Sequence, residues 1–207
     1  MATPPCFCLI IIMEHEIVKL GKHMGCAVTP IYFRKNIVPE FQCNFRQKGL
    51  YNMKNDLKFN EIEAMLPAYV KDMGNCTEIV TAETSFIESA TVETCKKRMA
   101  DYYNISLYHN RINYGNELGI TNRVPVVINE TRVFIYVNFR KPLFKHDAAY
   151  GFVDLSAVKQ IYNESGRASI LMNSGQIIQT RQSLKSLKKS ILHGKLARGI
   201  YMEKHKL

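Results

Sequence analysis

Few side chains in this sequence are placed for covalent chemistry. His146-Asp147 is a histidine beside a carboxylate, and a general-base dyad needs that carboxylate to orient the imidazole through a hydrogen bond. Neighbours on an extended chain point to opposite faces, so adjacency works against the geometry, and the pair reads as two polar loop residues. Glu61 and Glu63 lie two apart on a common strand face with no partner, and read as solvated. Cys6-x-Cys8 offers half of a metal-ligand set, and Cys26, Cys43, Cys76 and Cys95 do not supply the other half. There is no G-x-S-x-G elbow, Walker loop, G-x-G-x-x-G or H-E-x-x-H. The expectation is a protein without enzymatic activity, metal or cofactor.

The cations are distributed unevenly. From residue 161 onward, nine basic residues face only Glu164 and Glu203, a surplus of +7 within a net charge of +10. Residues 53–160 balance at 13 basic and 13 acidic side chains. A field this concentrated selects polyanions, and nucleic acid or an anionic membrane surface are the simplest. Arg181, Lys185, Lys188 and Lys189 fall on one side of an expected terminal helix, and Lys96-Lys97-Arg98 form a second cluster. Arg132, Arg140 and Lys141 surround an expected β-hairpin. An arginine offered by a loop of a β structure can enter a narrow A·T-rich minor groove.

The rest of the composition bounds the class. A chain of 207 residues with 46% hydrophobic and 22% charged residues can bury a core. The apolar run at residues 8–13 is too short to span a bilayer and lacks the flanks of a signal peptide. Six cysteines in so long and apolar a chain suggest reduced thiols and a cytoplasmic setting.

Residues 1–52 are expected to be a poorly organised extension, with many Pro and Gly breakers and no sustained period. Gln47-Lys48-Gly49 implies a purine-rich coding run just ahead of the Met53 codon, so the working product is expected to start at Met53. Beyond it, residues 62–70 read as strand and turn around Pro67, and 76–82 and 85–87 as strands. Thr91 is an expected helix N-cap with Glu93 in the first turn. Val92, Cys95, Met99 and Tyr102 are placed inward and Lys96, Lys97 and Arg98 outward. Residues 105–118 suggest a short helix with Ile105, Tyr108 and Ile112 inward and Gly119 at its end.

Residues 124–128 and 133–139 then form an expected hairpin about Asn129-Glu130-Thr131-Arg132. Residues 152–161 fit a strand or a short helix, and 169–172 and 176–180 a hairpin turning at Gly175. The last helix is expected over 181–193, burying Leu184, Leu187 and Ile191, with Gly194 and Gly199 interrupting or ending it. The fold class that results is α+β: a mainly antiparallel β core with short helices and a C-terminal basic helix.

Several motifs occur in a telling order: Leu66-Pro67, Gly74-Asn75-Cys76, Thr94-Cys95, Tyr108-x-x-Arg111, Val124-Pro125-Val126-Val127-Ile128, Tyr150-Gly151-Phe152-Val153 and Leu171-Met172-Asn173-Ser174-Gly175-Gln176-Ile177-Ile178. Their order and spacing, over about residues 61–196, resemble the ComK family of competence transcription factors. Asn110 stands where the family has Gly, and Asn suits left-handed backbone. Phe152 stands for the family Trp, and the family's Pro-Thr-x-Ser element is missing from residues 138–143. From residue 152 to 192 the chain also resembles the LytTR output domain.

These resemblances imply a bacterial cytoplasmic regulator of DNA-uptake genes. It would bind double-stranded A·T-rich DNA through the minor groove as a homo-oligomer, under the control of a protease adaptor. Arg111, Arg132 and Arg140 are the groove candidates; the remaining cations are expected to neutralise phosphates. The competing expectations are an interaction module whose basic helix docks an acidic protein partner, a degenerate paralogue without DNA binding, and a membrane-surface protein, the last opposed by the absence of large aromatics in the helix stripe and by glycines expected to break it early.

Overall fold

Alternation of buried and half-buried positions drives the first part of the chain into strands. The structure, a computed structural model, describes residues 58–206. The expected extension 1–52 and the Met53 start lie outside the described residues. A 3-10 turn, Phe59–Glu61, leads into β1 (Ile62–Val70), which pairs antiparallel with β2 (Gly74–Thr81), and β2 pairs with β3 (Ser85–Glu88). Pro67 does not end β1, which continues to Val70. Past Met65, β1 has a partner on one side only, and an edge tolerates proline.

Helix α1 (Val92–Tyr102) starts where expected, with the Thr91 hydroxyl accepting from the Thr94 N–H at 3.3 Å. Helix α2 (Leu107–Leu118) has Ser106 as N-cap and closes on Gly119 at φ +63°. Short β4 (Val126–Val127) pairs with β5 (Val133–Asn138), and β5 with β6 (Tyr150–Asp154). The Asn129 side chain accepts from the Thr131 and Arg132 N–H groups at 3.0 and 2.8 Å and forms the β4–β5 turn. The segment 152–161 is neither one strand nor one helix: β6 ends, Leu155–Ala157 makes a 3-10 turn, and β7 (Val158–Glu164) begins. β7, β8 (Arg167–Met172) and β9 (Ile177–Gln179) form a second sheet, with Gly175 at φ +87° in the expected hairpin.

The first sheet has six strands in the order β3-β2-β1-β6-β5-β4. Its two faces follow the period of two along each strand. Met65, Phe134 and Phe152 pack with Val92, Cys95 and Met99 of α1. Ala64, Ile135 and Val153 point the other way, into a core shared with the small sheet and α3 (Leu184–His205). At the β4 edge, Tyr114 of α2 and Ala197 of α3 close over Val124, Val127 and Val133. The α+β expectation, mainly antiparallel with a C-terminal helix, agrees with this architecture. No helix among the described residues is long and apolar enough to cross a membrane.

Three helix expectations are corrected. Tyr102 is exposed, and Ala100 is buried with Val92, Cys95 and Met99 instead. On α2, Leu107, Tyr114, Gly115 and Leu118 pack inward and Ile112 is half-buried; Ile105, just before the helix, also packs against the core, whereas Tyr108 is 64% exposed. The third concerns α3, which neither breaks nor ends at Gly194 or Gly199 but continues to His205. Gly194 is buried against the sheet: a Cβ there would lie 2.6 Å from Ile135 Cγ2 and 3.3 Å from Leu155 Cδ2. Close approach, not helix termination, explains that glycine.

Candidate nucleic-acid interface

Each expected cation has a definite place, and several are engaged inside the fold. Arg132 donates from Nε to Asp154 Oδ2 at 2.7 Å, and from its terminal nitrogens to Phe59 O at 2.8 Å, Tyr103 Oη at 2.9 Å and the Ile62 carbonyl. Arg140 donates to Ala148 O at 2.8 Å and Asn75 Oδ1 at 2.6 Å, with its guanidinium carbon 3.7 Å from the Tyr69 ring centroid. Burial lowers the Arg140 pKa from the ordinary arginine value. Both guanidiniums are thus half-buried and engaged within the fold, unlike the free groove-reaching arginines expected from the sequence.

The cluster on α1 is also divided. Lys96 turns inward, pairs with Glu93, and lies 5.2 Å and 5.8 Å from the ring centroids of Phe152 and Tyr136. Arg98 pairs with the buried carboxylate of Glu88 at 3.1 Å. Lys97 and Arg98 are both exposed, but Lys97 alone of the three makes no ion pair among the described residues. Moreover, α1 and α3 cover opposite faces of the six-stranded sheet, so their cations do not form one surface.

The cations of α3 are arranged differently. Lys185, Lys188, Lys189, Lys195 and Arg198 are all exposed and make no ion pair among the described residues. The helix has 22 residues, about 33 Å of rise. Leu187, Gly194 and Ala197 hold its opposite side in the core. Between the lysines, Leu192 and Leu196 are 54% and 49% exposed. His193 is half-buried, and burial followed by the Lys189 charge lowers its pKa below the ordinary 6.5.

Short β4 determines what lies next to this helix. It pairs only as far as Phe134, leaving the end of β5 without a strand on that side. Arg181 and Gln182 occupy the place: the Arg181 N–H donates to Asn138 O at 2.8 Å, and the Asn138 N–H to Gln182 Oε1 at 3.0 Å. The exposed Arg181 and the start of α3 are therefore fastened to the end of β5. The loop leaving that end carries Lys141 and Lys145, both exposed. Tyr150, opposite Asn138 in β6, lies under the guanidinium of Arg123, 4.4 Å from ring centroid to carbon.

Arg111 is exposed on α2 and shares a cleft of about 320 Å³ with Arg123, Tyr108, Lys96 and Tyr136. Arg123 sits in left-handed backbone at φ 56°, a conformation that is uncommon for a long side chain and often found at functional positions. Asn110 does not form a left-handed turn; it is helical and donates to Val127 O at 2.9 Å. The elements thus bring Lys141, Arg181 and the α3 lysines toward one end of the sheet, whereas Arg111 and Arg123 share their cleft with Lys96 and Tyr136 on the face that α1 covers.

Sequence reasoning missed Arg123 and Lys145. Arg123 follows the helix-ending Gly119 in a loop that carries no motif, and only its isolation from acids marks it. Lys145 lies four residues after Lys141, across Pro142, and that bracket was the available signal. Of the expected carboxylate sites, Asp147 accepts from Tyr69 Oη at 2.5 Å and Asn75 Nδ2 at 3.2 Å while His146 is exposed, so the two are divergent loop residues. Glu63 is not simply solvated: it is half-buried, accepts from Ser174 Oγ at 3.3 Å, and has its pKa raised by burial. No family model matches the chain, and no curated protein or solved structure matches it.

Proposed function

We propose that this protein is a DNA-binding transcription regulator that takes A·T-rich duplex mainly through the minor groove. The observation that carries the reading is the uncompensated row Lys185, Lys188, Lys189 and Lys195 on α3, with Arg181 and Lys141 near the end of β5. Rigidly held cations with no carboxylate partners are suited to displace counterions from a phosphate backbone. Arg111 and Arg123, with Tyr108 beside them, take over as groove candidates from the half-buried Arg132 and Arg140, which are engaged within the fold. Direction toward competence genes, a cytoplasmic setting, homo-oligomeric binding and control by a protease adaptor belong to the proposal through the ComK resemblance. No catalytic step is part of it.

The test is a gel shift of the full chain against A·T-rich and G·C-rich duplexes at two salt concentrations. Retardation that favours the A·T-rich duplex and weakens steeply with salt is expected. No retardation in dilute buffer would remove the proposal.

One observation favours a second reading. Leu192 and Leu196 are a one-turn pair exposed among the lysines, and phosphate contacts leave such a pair unexplained. An amphipathic acidic segment of a protein partner would cover both features. Retention of a protein partner after nuclease treatment, lost on Leu192→Ala with Leu196→Ala, distinguishes this reading from DNA binding.

A further inference from the structure

The loop joining β5 to β6 presents the two most exposed large apolar side chains among those described, Leu143 at 69% and Phe144 at 73%. Scattered apolar residues on a surface are ordinary. These two are adjacent, at the tip of one loop, between the exposed Lys141 and Lys145.

The loop is also held firmly. The Leu143 N–H donates to Tyr69 Oη at 2.8 Å and the Phe144 N–H to Asp147 Oδ2 at 3.2 Å. Tyr69 in turn donates to Asp147, and Asn75 links Asp147 to Arg140 by bonds of 3.2 and 2.6 Å. Arg140 closes the base of the loop through Ala148 O. The one carboxylate of the loop is thereby turned inward, which leaves the tip apolar and its flanks cationic. The network fixes the backbone of the tip, on which both side chains are exposed.

We infer that Leu143 and Phe144 form a wedge that enters the minor groove, partly unstacks one base step and kinks the duplex. This rests on the DNA-binding reading above. Apolar wedges of Leu or Phe act in this way in minor-groove proteins, where the bend brings more backbone against the protein. Lys141 and Lys145, exposed on either side of the tip in sequence, would supply the phosphate contacts beside the opened step. Arg181 and the start of α3 leave the same end of β5, ready to receive the bent flank. The wedge also supplies a physical source for A·T preference: the TA step unstacks easily, whereas an A-tract is stiff. Readout then comes from deformability and needs no hydrogen bond to a base.

The experiment uses the full chain and short duplexes carrying a fluorophore at each end, with a central TA step or an A-tract of equal length. Anisotropy reads binding and energy transfer between the ends reads bending. The wild type is expected to raise transfer on the TA duplex and much less on the A-tract. Leu143→Ala with Phe144→Ala should still bind, about tenfold more weakly, and leave the duplex straight, while Phe144→Trp keeps the bend. Circular dichroism of each variant should match the wild type, since both side chains lie outside the core.

Equal bending by the wild type and the double-alanine variant overturns the wedge and leaves DNA binding standing, as does a wild-type complex with straight DNA. Absence of wild-type binding removes both. Anionic phospholipid vesicles are the counter-probe. Flotation that requires Leu143 and Phe144, with DNA bending unaffected by them, assigns the tip to a membrane surface and overturns the proposal.

Discussion

Arg132 donates to a carboxylate, a tyrosine oxygen and two backbone carbonyls, and stands 5.1 Å from the Phe134 ring centroid. Its partner Asp154 is buried and also accepts from Ser156. Taking one member from such a pair leaves an uncompensated buried charge, so Arg132→Ala should cost about 3–5 kcal/mol in urea unfolding. A loss within about 0.5 kcal/mol, the range typical of a surface site, would contradict this assignment. From the sequence alone Arg132 and Lys185 look equally available. Their difference depends on where distant Asp154, Phe59 and Ile62 come to lie, and local spacing carries no such information. His193 illustrates the same point with a titrating group. Its folded-state pKa is depressed, so the folded protein keeps the imidazole neutral where the unfolded chain takes a proton. Its contribution is therefore full above the ordinary 6.5 and is lost as pH falls through that value toward the lower folded one. Melting temperatures over about pH 5 to 8 should fall less on the acid side for His193→Gln than for the wild type. Parallel profiles would show that His193 is not the group responsible.

At the scale of elements, α3 separates two kinds of glycine. Gly194 faces Ile135 and Leu155 with no room for a methyl group, whereas nothing lies within 4 Å of a Cβ at Gly199. Gly194→Ala should destabilise by about 1–3 kcal/mol through overpacking. Gly199→Ala should stabilise by up to about 1 kcal/mol, because alanine is the better helix former on an open face. Denaturant midpoints test the pair, and equal shifts in one direction would contradict the packing of α3. Strands and hairpins were legible because alternation and turn chemistry are local: Asn129 and Gly175 turn the chain where their side-chain bond and positive φ require. The helix faces were less so. α2 buries Gly115 and satisfies a sheet carbonyl with Asn110, so part of its inward side is small or polar. An apolar count therefore selects Tyr108, which points out. Glycines in α3 read as breakers from local propensity, and the reason for Gly194 is tertiary.

Across the whole molecule, the charge surplus noted in the sequence is carried by a helix fixed to the sheet. Packing engages Lys96, Arg132 and Arg140 within the fold, adds the exposed Lys145 beside Lys141, and leaves Arg123 with Arg111 in a cleft on the α1 face. The C-terminal row was legible because charge clustering along one helix is a property of sequence. Its continuation onto the β5–β6 loop was not, because it depends on the short β4 leaving Asn138 open to Arg181. The central claim is that this end of the molecule binds the backbone of a duplex, and salt dependence tests it most directly. The full chain and its Lys185→Ala, Lys188→Ala, Lys189→Ala triple variant are titrated against one A·T-rich duplex over a range of salt by fluorescence anisotropy. The logarithm of the association constant should fall linearly with that of the salt concentration, and the variant's line should be shallower by about 0.9 for each phosphate it no longer neutralises. Two lines of equal slope, or a wild-type chain that does not bind in dilute buffer, would contradict the account.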